Sequence, residues 1–213
     1  MKKKLQRFAD LAEMTHVFQA PDRLPGNWRS DFFRNTHPIT LELGCGSGEY
    51  TLTLAQMFPQ QNFIGADLKG SRLWKGAKLA EMQQLRNTAF LRIFIEKIGD
   101  YFTPGEVDEI WLTFPDPYPV YSKRNKRLTS PRFLAIYQKI LKSGGLVHLK
   151  TDSDSLFRYA LATVNELGGT VMHQVANIDT CPQVDERWLI RTKYELLHRK
   201  KGLIIKYLCF ALS

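Results

Sequence analysis

The chain has 213 residues, with 30 Lys and Arg against 21 Asp and Glu, and its formal net charge is +9. This length fits one domain, and a composition of 44% hydrophobic and 24% charged residues excludes wholesale disorder. No apolar run approaches the roughly 18 residues that a membrane span needs. No apolar stretch follows the lysines at the start of the chain, so we expect neither a signal peptide nor a membrane partner. The 3 scattered cysteines form no Cys-x-x-Cys pair, which favours a reducing, cytoplasmic location.

From residue 39 onward, short apolar runs alternate with amphipathic stretches. The predicted strands are Ile39–Leu43, Asn62–Asp67, Ala89–Ile95, Val107–Phe114, Gly145–Lys150, Gly169–Val175 and Leu203–Ala211. The predicted helices are Glu49–Met57, Ser71–Gln84, Pro131–Leu141 and Ser155–Leu167. This alternation predicts an α/β domain with a parallel, doubly wound sheet. We interpret residues 1–38, which are polar and irregular, as an N-terminal extension of a domain that covers residues 39–213.

The first predicted strand runs into a loop rich in glycine. Gly44, Gly46 and Gly48 stand where the chain turns from a strand into a helix. Glycine tolerates positive φ and lets a ligand approach the backbone closely, so this loop predicts a nucleoside cofactor. Asp67 ends the next strand, where a carboxylate is placed to accept hydrogen bonds from ribose hydroxyl groups.

The charges beside the loop indicate which cofactor it holds. The dinucleotide fingerprint would have its third glycine where this chain has Glu49, and acidic Glu42 precedes the loop. A carboxylate repels a pyrophosphate but suits S-adenosylmethionine, which carries a sulfonium and an ammonium group. The segment from Glu42 to Gly48 resembles motif I of the Rossmann-like methyltransferases. We therefore expect a methyl-transferring enzyme.

The fourth predicted strand ends in a second informative loop. Asp116 stands there between Pro115 and Pro117, which stiffen its backbone. Ligands of open α/β sheets lie beyond the carboxyl ends of the strands, so Asp116 is expected at the mouth of the site. A basic run, residues 123–127, follows within seven positions of Pro117. It predicts that the methyl acceptor belongs to a nucleic acid.

Positive charge is concentrated in two segments of the carboxyl-terminal half. Residues 117–132 hold five bases and no acid, and residues 187–206 hold seven bases and one acid. Residues 40–116 hold ten acids and seven bases, so this middle stretch is net negative. A single basic run is often only a solvated face, but two runs poor in acids favour a polyanionic partner.

The two loops and the basic run together resemble a known family. The segment Phe114–Pro119, followed by Lys-Arg-Asn-Lys-Arg-Leu at 123–128, is similar to the signature of the tRNA (guanine-N7-)-methyltransferases. Further matches are Lys150–Asp152 and Thr192–Glu195, which is followed by Gly202. The resemblance covers roughly residues 39–210. It implies a class I methyltransferase fold, with an antiparallel C-terminal strand, that methylates N7 of guanine 46 in the variable loop of tRNA.

The resemblance also implies roles for individual residues. The cofactor would be held by Glu42, Gly44, Gly46, Gly48, Asp67, Glu96 and Asp116, and Asp116 would be catalytic as well. The target nucleotide would contact Asp152, Thr192, Lys193, Tyr194 and Glu195, and tRNA would bind Lys123, Arg124, Asn125, Lys126 and Arg127. The family usually has Trp at Tyr118 and a substrate-contacting Lys at Val120. Lys123 and Lys193 are the candidates to replace that lysine.

Two other functions are compatible with these features. A methyltransferase that acts on an exocyclic amine would use an Asp/Asn-Pro-Pro-aromatic loop, which Asp116-Pro117-Tyr118 matches only in half. Alternatively, the chain would bind tRNA and retain a degenerate cofactor pocket. Histidines without ligand spacing predict no metal site, and the chain is expected to act as a monomer or a homodimer.

Overall fold

The computed structural model describes residues 2–19, 21 and 24–212. Its helices are α1 (Lys2–Glu13), α2 (Glu49–Met57), α3 (Gly70–Met82), α4 (Pro131–Ile140), α5 (Asp154–Glu166) and α6 (Lys193–Arg199). Its strands are β1 (Val17–Phe18), β2 (Ile39–Leu43), β3 (Asn62–Asp67), β4 (Thr88–Arg92), β5 (Val107–Thr113), β6 (Leu141–Thr151), β7 (Thr170–Val175) and β8 (Lys206–Ala211).

All of these strands form one sheet in the order β1-β4-β3-β2-β5-β6-β8-β7. Every neighbouring pair is parallel except the two pairs that β8 makes with β6 and β7, which are antiparallel. The predicted Rossmann-like α/β sheet, mostly parallel with an antiparallel C-terminal strand, is therefore confirmed. The strand order reverses between β2 and β5, and the loops that leave their carboxyl ends diverge there to form a crevice for ligands.

Most predicted elements of the domain are found close to their predicted ends. The strand predicted to reach Ile95 instead ends at Arg92, and a 3-10 helix over Ile95–Tyr101 follows it. The last strand begins at Lys206, not at Leu203. Helix α6 was not predicted, because its charged residues and exposed leucines do not form a clear apolar face.

The described part of residues 2–38 packs closely against the sheet. Helix α1 contacts α3, and β1 adds a short parallel strand next to β4. A single π-helical turn over Trp28–Phe33 places Trp28 in the main core, where it is 0% exposed. The carboxylate of Glu106 accepts hydrogen bonds from the backbone nitrogens of Gly26 and Trp28, at 2.8 and 3.2 Å. The division between residues 1–38 and 39–213 stays a prediction.

The central strands are buried on both faces, which explains their almost continuous apolar sequences. All residues of β2 are buried, and α4 and α5 each bury apolar residues against the same core. None of the described helices is long and apolar enough to cross a membrane.

Candidate active site

The glycine loop adopts a conformation that requires glycine. Gly44, Gly46 and Gly48 all have positive φ, at 77°, 59° and 69°. A Cβ atom on Gly48 would lie 2.6 Å from the ring of Phe90, whereas one on Gly46 would meet nothing within 4 Å. Gly48 therefore packs against the protein, and Gly46 faces open space. That space is where a ligand can approach the backbone of the loop.

Asp67 holds the glycine loop in place from the end of β3. Its Oδ2 accepts a hydrogen bond from the backbone nitrogen of Gly46 at 3.0 Å, and its Oδ1 accepts one from that of Lys69 at 2.7 Å. Each carboxylate oxygen has a second lone pair. Asp67 can therefore orient the loop and still accept a hydroxyl group, as the prediction of a ribose contact requires.

Glu42 supports the loop from inside the sheet. It is only 3% exposed, and its Oε2 accepts hydrogen bonds from the hydroxyl group and, at 2.9 Å, the backbone nitrogen of Thr51. Its Oε1 accepts a hydrogen bond of 2.5 Å from the hydroxyl group of Thr113. Burial raises the pKa of Glu42 from 4.5 to about 7, against the effect of these hydrogen bonds. The residue ties β2 to α2 and β5, and its direct contact with the cofactor stays a prediction.

Asp116 lies exposed beyond the carboxyl end of β5, beside the crevice. Among the described residues, no hydrogen bond occupies its carboxylate. Phe114 and Tyr118, two residues before and after it, have positive φ of 49° and 39°, which is strained for bulky side chains. This loop therefore presents a free carboxylate on a backbone whose shape must be held by its surroundings.

Arg127 is the residue that holds this loop, and its predicted contact with tRNA stays a prediction. Its Nε donates to the backbone oxygen of Pro117 at 3.0 Å, and its Nη2 donates to that of Tyr118 at 3.0 Å. The side chain is 8% exposed, and its guanidinium lies 4.3 Å from the ring centre of Tyr159. The guanidinium is therefore engaged by the backbone of the loop. The sequence shows only five neighbouring polar residues and not which of them points inward.

The other residues of the basic run do face solvent. They form a 3-10 helix over Tyr121–Lys126, in which Lys123, Asn125 and Lys126 are exposed. The guanidinium of Arg124 lies over the ring of Tyr121, 4.0 Å from its centre. Because this helix follows the Asp116 loop directly, three cations stand at the rim of the crevice.

The block that begins at Thr192 forms the start of α6. The Thr192 hydroxyl caps this helix by accepting a hydrogen bond of 3.2 Å from the backbone nitrogen of Glu195. Lys193 is 87% exposed, with its ammonium 3.5 Å from the carboxylate of Glu49.

Tyr194 is 45% exposed and packs against Phe114, with ring centres 5.3 Å apart. Burial raises the pKa of Tyr194, and the charges of Asp152 and Asp116 add to the shift. The packing on Phe114 places Tyr194 against the loop that carries Asp116.

Glu195 points inward, and its predicted contact with the substrate stays a prediction. Its Oε2 lies 2.7 Å from the ammonium of Lys150, and both side chains are 0% exposed. Its Oε1 lies 2.7 Å from Nε of Arg199. Lys150 also donates a hydrogen bond of 2.7 Å to the backbone oxygen of Ile190. This pair fastens α6 to the end of β6.

The remaining predicted residues lie at the same edge of the sheet. Glu96 is exposed in the 3-10 helix after β4, and its charge adds to the raised pKa of Tyr118. Asp152 follows β6, with its Oδ2 2.6 Å from Nδ1 of His198. Sequence reasoning missed His198 and Lys150. The signal for Lys150 was a cation inside the apolar run of β6, whereas His198 had none.

Comparison with known proteins relates this chain to a group of enzymes. Residues 36–208 match a family model described as "Putative methyltransferase". A tRNA (guanine-N(7)-)-methyltransferase of Bacteroides fragilis is 46% identical over 219 residues, covering 99% of this chain and 86% of that protein. An enzyme of the same name from Porphyromonas gingivalis is 48% identical over 211 residues, covering 93% and 85%.

One solved structure shows how general the fold is. The crystal structure of the 16S rRNA methyltransferase KamB superposes with a TM-score of 0.65 at 16% identity, covering 88% of this chain and 92% of that one. At this identity the likeness concerns the methyltransferase fold alone. Within the part of the chain that the structure describes, no group of three or more His, Cys, Asp or Glu could hold a metal ion.

Proposed function

Since the chain belongs to the tRNA (guanine-N(7)-)-methyltransferase family, we propose that it transfers a methyl group from S-adenosylmethionine to N7 of a guanine in tRNA. More specifically, we propose guanine 46 of the variable loop as the target. The observation that supports this most strongly is Asp116. Its carboxylate is exposed beyond the carboxyl end of β5, which neighbours the strand that leads into the glycine loop, and Tyr194 packs on Phe114 in the same loop.

The residues around the glycine loop fit S-adenosylmethionine. Open space beside Gly46 admits a ligand, and the acids Glu42, Asp67 and Asp116 stand at the ends of three neighbouring strands. Their charge suits a cationic cofactor. When bound, S-adenosylmethionine supplies the methyl group as an electrophile on its sulfonium. Asp67 would orient the ribose and Asp116 would face the reacting groups.

The proposed reaction demands positioning more than acid–base chemistry. Guanine N7 is an acceptor with a lone pair and no proton, so no side chain has to deprotonate it. The protein must place N7 in line with the methyl group. Positive charge moves onto the purine during transfer, and the carboxylate of Asp116 would stabilise that charge. Carboxylates at this edge would also accept hydrogen bonds from N1 and the amino group of guanine, which excludes adenine.

A direct assay distinguishes this function from the alternatives. Unmodified tRNA is incubated with labelled S-adenosylmethionine, and its nucleosides are separated. N7-methylguanosine is the expected product, and a tRNA with adenine at position 46 should lose it. A methylated exocyclic amine would establish the other class of methyltransferase. Binding of tRNA without methylation would show that the cofactor pocket is degenerate.

The variant Asp116→Ala tests the catalytic residue. We expect turnover to fall by at least about 100-fold, because the charge on the purine loses its stabilising carboxylate. Affinity for tRNA, measured by a gel-shift titration, should stay within about twofold, since phosphate contacts dominate it. Asp100→Ala, which removes another exposed acid, is the control. Turnover of Asp116→Ala near that of the control would contradict the assignment.

The basic run is tested through the salt dependence of tRNA binding. Replacing Lys123, Arg124 and Lys126 together by Gln should lower the slope of log affinity against log salt by about 2. With fewer phosphate contacts, binding releases fewer counterions. Arg127→Gln removes the same kind of charge from a buried position, so its slope should equal that of the wild type. An unchanged slope in the triple variant would show that the run is only a solvated surface.

We further propose that the enzyme works in the cytoplasm as a monomer or a homodimer. Three unpaired cysteines, two of them buried, are consistent with a reducing environment. Light scattering of the purified protein with and without tRNA measures the assembly.

A further inference from the structure

His198 connects two residues on the substrate side of the site. Its Nδ1 lies 2.6 Å from Oδ2 of Asp152, so that the ring nitrogen donates a hydrogen bond to the carboxylate. The same ring stacks on Tyr194, with centres 4.0 Å apart and planes at 21°. Tyr194 in turn packs on Phe114. These contacts form a column of rings from the Asp116 loop to the carboxylate of Asp152.

The bond to His198 leaves Asp152 with one oxygen available. Among the described residues, no hydrogen bond occupies its Oδ1. The Asp152 side chain is 14% exposed and that of His198 22%, so both lie partly shielded from water. A carboxylate that is fixed through one oxygen presents the other in a defined direction.

We propose that His198 is a positioning residue, which orients Asp152 and the ring of Tyr194 toward the target guanine. The inference rests on the proposed function, because it takes the acceptor to be a base in tRNA. The free oxygen of Asp152 would then accept from the Watson–Crick edge of guanine while Tyr194 contacts its face. A misplacement of about 1 Å in the reacting groups can cost about 100-fold in rate, so a residue that fixes their geometry affects activity without touching them.

The expected kinetic effect distinguishes positioning from binding. Affinity for tRNA comes mainly from phosphate contacts, so a misoriented Asp152 should leave the KM for tRNA within about threefold. Small displacements of reacting groups lower the rate steeply, so kcat should fall at least about tenfold. The KM for S-adenosylmethionine should not change.

Two substitutions separate the two contacts of His198. His198→Phe keeps a ring against Tyr194 but cannot donate to Asp152, and it should show the loss in kcat. His198→Asn keeps a donor near the position of Nδ1 and should restore kcat to within about threefold of the wild type. In an Asp152→Asn background, His198→Phe should cost no further activity, because the two residues act through one contact.

The outcomes decide the inference in either direction. Wild-type kcat in His198→Phe, or equal losses in both substitutions with a lowered Tm, would overturn it. Full additivity with Asp152→Asn would also overturn it. A failure of the proposed function looks different, because the wild-type enzyme itself would then form no N7-methylguanosine.

A second observation concerns the middle of the chain, whose sequence is net acidic. Four of its acids bind backbone, hydroxyl or basic groups of the protein itself: Glu42, Glu106 and Asp108, which are buried, and Glu109, which is partly buried. The bases of α3 and its N-cap, in contrast, all face solvent: Lys69, Arg72, Lys75 and Lys78. Of these, Lys78 pairs with Glu81, the one acid of the helix. The exposed bases of this stretch are therefore concentrated on α3 and its N-cap.

The position of α3 brings this basic face next to the glycine loop. The helix starts after β3, and a Cβ atom on Gly76 would come within 2.5 Å of the backbone oxygen of Ser47 in the glycine loop. It belongs to the half of the sheet that contains β2, β3 and β4. The 3-10 helix over Tyr121–Lys126 follows β5, in the other half. Basic side chains thus stand on both sides of the crevice.

We infer that the exposed face of α3 binds the phosphate backbone of tRNA, so that the substrate straddles the crevice. This inference also rests on the proposed function. Arg72→Glu with Lys75→Glu should lower the slope of log affinity against log salt by about 1.5 to 2 and weaken binding of tRNA. Its control is Arg86→Glu with Lys139→Glu, which makes the same charge change at exposed positions before β4 and β6, at the far end of the strands.

Comparing the two double variants settles the matter. A loss of affinity and slope confined to the α3 variant supports the contact. Equal effects in both variants would mean that only net charge matters, and an unchanged α3 variant would exclude the face from the interface. If neither the wild-type protein nor the control binds tRNA, the proposed function fails, not the location of this surface.

Discussion

Glu42 shows how a single residue can serve the architecture of the site and carry a cost. Its carboxyl group is enclosed between β2, α2 and β5, and hydroxyl groups of Thr51 and Thr113 approach its two oxygens. Burial disfavours the ionised form, which is why the pKa rises to about 7. A bound cation near the loop would offset that cost. A cationic cofactor bound there would therefore be coupled to the stability of the fold through Glu42.

The pH dependence of stability tests this account. The pKa of Glu42 is about 7 in the folded protein against 4.5 as its ordinary value. Between these values the folded state holds the proton more tightly, so its contribution is complete below pH 4.5 and is lost as the pH rises to 7. We expect urea denaturation of the cofactor-free protein to show this as about 3 kcal/mol of stability lost from pH 4.5 to 8. Glu42→Gln, which cannot ionise, should lack that loss.

The comparison must isolate one carboxyl group among many. Glu96→Gln is the matched control, because Glu96 is an exposed acid at the same edge of the sheet. The difference between the stability curves of wild type and Glu42→Gln should change with pH by more than the difference between wild type and Glu96→Gln. Parallel curves for all three proteins would refute the raised pKa.

At the scale of elements, α6 is held by a buried ion pair instead of an apolar face. Lys150 and Glu195 meet at 2.7 Å with no exposure of either side chain, and Arg199 adds a second contact to the same carboxylate. Burial lowers the pKa of Lys150, and the charge of Glu195 opposes that shift. The pair fixes the helix that carries Tyr194 and His198. Loss of the pair should therefore affect stability and activity together.

Breaking one side of this pair should cost more than removing both charges. Lys150→Met leaves Glu195 buried beside Arg199 alone, and we expect a loss of about 3 to 5 kcal/mol in the free energy of unfolding. The double variant Lys150→Met with Glu195→Gln carries no unpaired buried acid and should recover at least half of that loss. Urea denaturation of the wild type, both single variants and the double variant measures the coupling. Additive losses would contradict the idea of a mutually compensated pair.

The same element shows where prediction from sequence ends. Strands β2, β3 and β5 were predictable because buried parallel strands are continuous apolar runs, and the placement of Asp116 followed from the end of β5. The inward direction of Glu195 was not predictable, because it depends on Lys150, which lies 45 positions earlier in the chain. Arg127 differs from its basic neighbours for a similar reason. Its partners are the backbone oxygens of a strained loop, and these leave no mark in the sequence.

At the scale of the whole molecule, the fold determines where the charges behind the net value of +9 are exposed. Four of the ten acids of the middle stretch bind backbone, hydroxyl or basic groups of the protein itself, so they contribute little to the charge that its surface presents. Lysines and arginines are exposed on both sides of the crevice. The sequence could show the sum of the charges, but their separation into an internal and an external set depends on the fold.

The amino-terminal segment is irregular in sequence, but part of it packs into the main core. Its pattern has no regular period, yet Trp28 is fully buried, donates a hydrogen bond of 2.9 Å to the backbone oxygen of Tyr101, and stacks on Phe102. We expect Trp28→Ala to cost about 3 to 5 kcal/mol in urea denaturation, because it opens a large cavity in the main core. Trp74→Ala is the control. Trp74 is a half-buried residue of α3 that donates a hydrogen bond to Asp10 of α1, so its replacement should cost clearly less. A loss below about 1 kcal/mol for Trp28→Ala would show that residues 1–38 merely cover the domain of residues 39–213. The expected loss would show that they complete its core.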